Sequence, residues 1–291
     1  MSLKSLLLVS TILGSCTAAF AQIVITAPTT ITVAGSYKLG ANLNVPSGAN
    51  GVNIQASNVL LDLNGYVING AGTGSYGIYV GTSSDHVTVK NGGIINFKTC
   101  GLKFDLVSGI EGGAGDEVED VNLSGNFDGV FIYNTGTGVK NCTFSKNTSN
   151  GIEIWNSGSS SSISNCTFLG NTNHGITGQL TGSGIENCTF RETGVAIEGS
   201  NSAISITKAL GISIIGNSIF QCTSGIVISA TLSNGIALLM TNNNITCGSG
   251  TGLLLTNCTG IINQNIIAGN NVNHQFSGNT VPVMYTNNLE Y

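Results

Sequence analysis

Apolar and polar residues alternate along this chain in short bursts, each introduced by glycine. GVNI at 51–54, GIYV at 77–80, GLKF at 101–104, GVFI at 129–132 and GIEI at 151–154 share the pattern. A weaker GITG at 175–178 follows, then GVAI at 194–197, GIVI at 225–228 and GLLL at 252–255. A period of two marks a strand with one buried face. Each burst is followed, after a polar stretch, by an apolar-x-Asn-small-x-Phe/Ile segment. VKNCTF, ISNCTF and IENCTF begin at Val139, Ile163 and Ile185, and IGNSIF and INQNII begin at Ile215 and Ile262. Looser copies are VEDVNL from Val118 and MTNNNI from Met240. About nine units succeed one another at roughly 25 residues each, a period that means a solenoid.

A unit of that size cannot bury its apolar side alone and must stack on its copies. It has room for three short strands and three bends, and parallel crossovers are right-handed almost without exception. The pattern predicts an all-β, right-handed parallel β-helix of about nine coils with end caps. The caps are expected at residues 22–45 and 271–291, the latter containing Pro282, with the helix over 46–270. Propeller blades need longer repeats.

Stacking turns the repeated tetrapeptide NCTF into columns. One inward column reads Val121, Cys142, Cys166, Cys188, Ser218, Asn243 and Asn265, which share modest size rather than thiol chemistry. The next reads Phe144, Phe168, Phe190 and Phe220, continuing as Ile245 and Ile267. Asn141, Asn165, Asn187, Asn217 and Asn242 are expected at a bend, because Asn tolerates left-handed φ. In the NCTF copies Asn141, Asn165 and Asn187 also form Asn-x-Thr sequons, read as incidental because the bend leaves little room for a sugar. Cysteines lying in one column point the same way, so a disulfide framework and a zinc site are both poor fits. Cys247 with Cys258 is the one pair open to oxidation.

Composition then narrows the partners. The 291 residues include 41 Gly and 3 Pro, with only 8% charged and a net charge of −5. With Arg191 the single arginine, nucleic acid is excluded, since phosphates need clustered Lys and Arg. Residues 1–21 read as a signal peptide: a basic start at Lys4, an apolar run from Leu6 to Leu13 too short to span a bilayer, and Ala19-Phe20-Ala21 for cleavage. LGSC at 13–16 offers a lipid anchor at Cys16 as the lesser alternative. No transmembrane segment follows, so the protein is expected to be secreted, periplasmic or on the cell surface.

VLLDLNGYVINGAG, GIYV and SDHVTVKNGGIINF resemble the opening coils of the pectate-lyase-like family of right-handed β-helix repeat proteins, and NGIEIWNSGSSSSISNCTFLGN is similar to their generic repeat. The resemblance covers about residues 30–270 and implies the fold. It also implies polysaccharide as the partner, since active members bind, cleave or epimerise glycans in a groove along one sheet; others are adhesins or tailspikes. The catalytic patterns of the enzymatic branches are mostly absent: only His174-Gly175 matches the polygalacturonase-like set, where it also fits an ordinary coil start, and Asp85-His86 matches the epimerase-like motif without the rest of it.

Outward positions of the bursts supply the candidate chemistry. They read Tyr79, then Lys103 and Asp105, then Phe131 and Tyr133, then Glu153 and Trp155. Aromatic faces stack on sugar rings while flanking charges orient hydroxyls or carboxylates, so Tyr79, Phe131, Tyr133 and Trp155 are candidate substrate-binding residues. Lys103, Asp105 and Glu153 are candidate catalytic residues of a polysaccharide lyase or glycoside hydrolase, Lys103 as base or carboxylate neutraliser and the two acids as a pair. The alternative is a non-catalytic surface or adhesion protein using the rod as a display scaffold, with contact sites at bends near 108–117 and 198–210. No resident cofactor is expected; the acidic run GDEVED at 115–120 is a weak Ca2+ candidate. Asp128, Asn150 and His174 begin consecutive coils and are expected to share a column.

Overall fold

The computed structural model describes residues 22–82, 84–105, 115–134, 136–193, 202–229, 237–248, 250–278 and 284–291. The leader with Cys16, the GVAI burst, Pro282 and most of the 108–117 bend lie outside these residues. Every described element is a strand.

Three strands make one turn. The first of each turn joins an 11-stranded sheet; the other two join a continuous 21-stranded sheet folded at a bend. Strand pairings are parallel throughout, for instance Phe144 with Phe168 and Phe168 with Phe190. Nine rungs of the 11-stranded sheet, from Val52–Ile54 to Thr251–Thr256, correspond to the nine predicted coils, and Thr29–Ile31 and Val272–Ser277 add one at each end. The seventh rung differs from expectation: it is Ser202–Leu210, whose Ile204 pairs with Ile176 below and Ile226 above.

Alternation places the core. Ile78, Val80, Leu102, Phe104, Val130, Ile132, Ile152 and Ile154 are all buried, while the residues between them face out. The predicted Phe column is present: ring centroids are 4.9 Å apart from Phe144 to Phe168 and 4.6 Å from Phe168 to Phe190, the planes 7° and 4° from parallel. Burying each ring contributes about 1.5–3 kcal/mol. The recurring glycine before each burst answers to these rings. A Cβ on Gly151 would sit 2.6 Å from the Phe168 ring and 2.6 Å from the Gly175 carbonyl oxygen. Close packing, rather than turn geometry, excludes larger residues there.

Bends are made as expected by left-handed residues: φ is 56° at Asn141, 54° at Asn165 and Asn187, and 58° at Asn242. Their side chains are exposed, so the space once expected to be too small for a sugar is open. One register was misread. Gly216, with φ of 67°, occupies the bend that Asn217 was expected to fill. Asn217 therefore takes the small inward position in place of Ser218, and Ile219 takes the ring position in place of Phe220.

The inward small column is a polar ladder in the later coils. The backbone N–H groups of Asn217, Asn243 and Asn265 donate to Oδ1 of Asn243, Asn265 and Asn288, each at 3.0 Å. Their side-chain amides repeat the bond at 2.9–3.0 Å. A second ladder runs through Asn126, Asn147 and Asn171. In the earlier coils the same small column holds Cys142, Cys166 and Cys188, all buried. The seven described cysteines, Cys247 and Cys258 included, are free thiols. The hydrogen bond to Cys166 and burial push the Cys142 and Cys188 thiols above the ordinary range, which keeps them unreactive.

Candidate functional site

Four consecutive rungs, Tyr76–Val80, Cys100–Phe104, Asp128–Ile132 and Ile152–Ser159, build the outward face. With their alternate apolar residues inside, register stacks Tyr79, Lys103, Phe131 and Glu153 directly over one another. Asp105, Tyr133 and Trp155 follow two residues later in their rungs and flank this column. The seven residues expected from the sequence thus share one face, arranged as two touching groups.

The first group centres on Lys103. Its Nζ lies 3.1 Å from Asp105 Oδ2 and 5.8, 5.6 and 5.6 Å from the ring centroids of Tyr76, Tyr79 and Phe131. Tyr79 Oη donates to the same Asp105 oxygen at 2.6 Å. That bond, with burial, pushes the phenol up to about 12, so it stays protonated as a donor. Tyr76, 5.5 Å from Tyr79 between ring centroids, was not foreseen. Its pairing in register with Cys100 and so with Asp128 is the signal that places it.

The second group is aromatic. Phe131 lies 6.4 Å from Tyr133 and 6.3 Å from Trp155, with planes inclined at 29° and 31°. Trp155 is 52% exposed. Its Nε1 donates to Glu153 Oε1, and Glu153 Oε2 accepts from Asn150 Nδ2 at 3.1 Å. Indole and carboxylate therefore hold one another at a fixed angle to the sheet.

Beneath Glu153 lies the column of rung-leading residues. The Asn150 backbone N–H and Nδ2 donate to Asp128 Oδ1 at 2.9 and 3.1 Å. One amide thus links a buried carboxyl to the surface carboxylate. Burial first, and then the Glu153 charge, raise Asp128 to about 6, against hydrogen bonds from Asn150 and Ser149. His174 follows in the column, but its ring turns to Ser202: the Ser202 backbone N–H donates to Nδ1 at 3.1 Å. An accepting Nδ1 puts the proton of the neutral ring on Nε2, and burial lowers the pKa of His174.

The remaining charged candidates stay apart from this face. Along GDEVED, Asp116 is buried and accepts from the Val87 N–H at 2.8 Å, whereas Glu117 and Glu119 face out to Lys140 at 2.6 and 3.4 Å. Strand alternation disperses the acids, and among the described residues no group of three His, Cys, Asp or Glu is placed to hold a metal. Arg191 and Glu192 form an exposed pair at 3.3 Å. Among the described residues no helix is long and apolar enough to cross a membrane.

Residues 76–203 match a family model described as a right handed beta helix region, a span that holds the whole candidate face and the Phe column. None of the curated proteins compared with the chain matches it. Among solved structures the chain is similar to the tailspike protein gp49 from Acinetobacter baumannii bacteriophage Fri1, described as a capsular polysaccharide depolymerase. Identity is 13%, 86% of this chain and 42% of that one are covered, and the TM-score is 0.34. The chain spans well under half the length of that tailspike.

Proposed function

We propose that this chain, a right-handed parallel β-helix protein, binds polysaccharide along the face of Tyr79, Phe131, Tyr133 and Trp155, outside the cytoplasm. The observation that carries the reading is Trp155. Half its surface is open, its indole nitrogen is fixed by Glu153, and its ring continues the inclined row of Phe131 and Tyr133. A rigid aromatic with an unspent face and a polar group at its edge is a sugar platform. The signal-like leader supports the location, and buried free thiols keep cysteine from an oxidising medium.

Cleavage at Lys103, Asp105 and Glu153 is a second reading. Two strand pairings separate the levels of the two acids, roughly 10 Å at the usual strand spacing, which suits inversion with a water between them. Against it, Asp105 is already engaged by Lys103 and Tyr79. Binding is the favoured reading.

Affinity electrophoresis of the full chain in gels containing soluble polysaccharides tests it. Retardation of the parent, reduced in Trp155→Ala and Phe131→Ala, is expected. Mobility identical for parent and variants in every gel would remove the reading. New reducing ends or unsaturated products in the same incubations would establish cleavage.

A further inference from the structure

We infer that the polymer taken by this face is a neutral polysaccharide, one whose sugars offer hydroxyls rather than carboxylates, sulfates or phosphates. The inference rests on the glycan-binding reading and specifies its chemical class.

The charge inventory of the face carries it. Across the four rungs Lys103 is the only cation, and it is only 21% exposed. It pairs with Asp105 at 3.1 Å and lies among the rings of Tyr76, Tyr79 and Phe131. An anionic sugar would have to take Lys103 from Asp105. That exchange leaves Asp105 without its cation beside the incoming anion, and no second cation on these rungs compensates. Glu153 adds another carboxylate to the same ladder, with Asp128 behind it. The face therefore presents two outward carboxylates for one internally neutralised ammonium, on a chain whose net charge is −5.

Hydrogen-bond polarity points the same way. The Tyr79 hydroxyl hydrogen is given to Asp105 and the Trp155 N–H to Glu153. Two conspicuous donors are spent inside the protein. The Glu153 carboxylate has more lone pairs than its bonds to Trp155 and Asn150 use, so the face offers acceptors. Sugar hydroxyls donate to such acceptors; carboxylate, sulfate and phosphate groups cannot. The rings meanwhile extend over four rungs, about 14 Å at the usual strand spacing, enough for several sugars of an extended chain. Stacking needs no charge on the ligand.

The test uses the full chain, a panel of neutral glucans, mannans and xylans, and a panel of polygalacturonate, alginate and sulfated polymers of similar length. Binding is measured by affinity electrophoresis and calorimetry at low and high salt. A neutral polymer is expected to bind with little salt dependence, and Trp155→Ala is expected to weaken it roughly tenfold. Asp105→Asn releases Lys103 and is expected to gain salt-sensitive binding to a polyuronate. Glu153→Gln removes the other carboxylate and serves as the parallel variant should Asp105→Asn lower the melting temperature. Tighter binding of the parent to anionic than to neutral polymers, with affinity falling as salt rises, would overturn the inference while leaving the glycan reading intact. Failure of both charge variants to improve anionic binding would also overturn it. No binding to any polymer would remove both readings together.

Discussion

Two rows of aromatic residues run along this rod, one inside and one outside, and they differ in how their faces are used. Phe144, Phe168 and Phe190 stack within 7° of parallel at 4.6–4.9 Å. Phe131, Tyr133 and Trp155 lie 6.3–6.4 Å apart and are inclined by about 30°. Both rows come from one alternating repeat and one coil spacing. Inside, each ring is confined by its neighbours and by a glycine with no space for a Cβ, so both faces are consumed by packing. Outside, the rings stand further apart; Glu153 fixes the Trp155 edge, and the half-exposed indole leaves a face for a ligand. Aromatic side chains thus stabilise where they point inward from the 21-stranded sheet and offer a face to a ligand where they point outward from the 11-stranded one.

The largest expected effect breaks the inner row. Phe168→Ala removes the middle ring and should cost about 3–5 kcal/mol in chemical denaturation, because rigid neighbours cannot collapse into the cavity. Equal glycan affinity in the surviving folded protein would confirm that the rows act separately. The next concerns the seam between them, where Asp128 lies beneath Glu153. Its folded pKa of about 6 exceeds the ordinary Asp value near 4, so the native state holds this proton more tightly than the unfolded chain. Stability from this group is present below about pH 4 and is lost as pH rises through about 6, amounting to at most about 3 kcal/mol. Buried Asp116, raised to about 7, acts with the same sign. Denaturation midpoints across this range should fall with pH, and more shallowly in Asp128→Asn, whose amide oxygen can still accept from Asn150. An unchanged slope would contradict the assignment.

Smaller again, Trp155→Ala should leave the denaturation midpoint within about 0.5 kcal/mol of the parent, as for other surface changes, while glycan affinity drops roughly tenfold. A large loss of stability there would abolish the distinction between the rows. Cys166→Ser should leave the outer row and its glycan affinity untouched and cost little inside. The thiol lies 3.2 Å from the Ser164 carbonyl oxygen and 3.6 Å from that of Val139, and a hydroxyl can donate to the same groups. A cost below about 1.5 kcal/mol is expected from the same denaturation curves.

Alternation made the rungs, the Phe column and the outward face readable in the sequence, because a period of two needs no knowledge of neighbours. It left Asn217 and Ile219 misplaced. Either Gly216 or Asn217 can adopt the left-handed bend, and only stacking on Asn187 and Asn242 decides between them. The rung at Ser202–Leu210 lacks the glycine that marks the others; Ala203 stands in its place. The ion pair of Lys103 with Asp105 and the Asn150 bridge between Asp128 and Glu153 depend on side-chain directions across coils. Residue spacing places such groups on a shared face but does not say which will bond.

The asparagine ladder has a polarity that the repeat alone conceals. From Cys188 to Asn265 each inward backbone N–H donates to an asparagine Oδ1 of the next coil, ending on Asn288, while the Nδ2 groups also reach back to carbonyls of the coil before. Removing Asn217 would orphan the Cys188 N–H and removing Asn288 would orphan the Asn265 backbone N–H, and buried donors tolerate isolation less well than carbonyls do. As the polypeptide emerges from the ribosome, each finished turn therefore waits for the next to satisfy its inward backbone N–H, so completion propagates in the direction of synthesis.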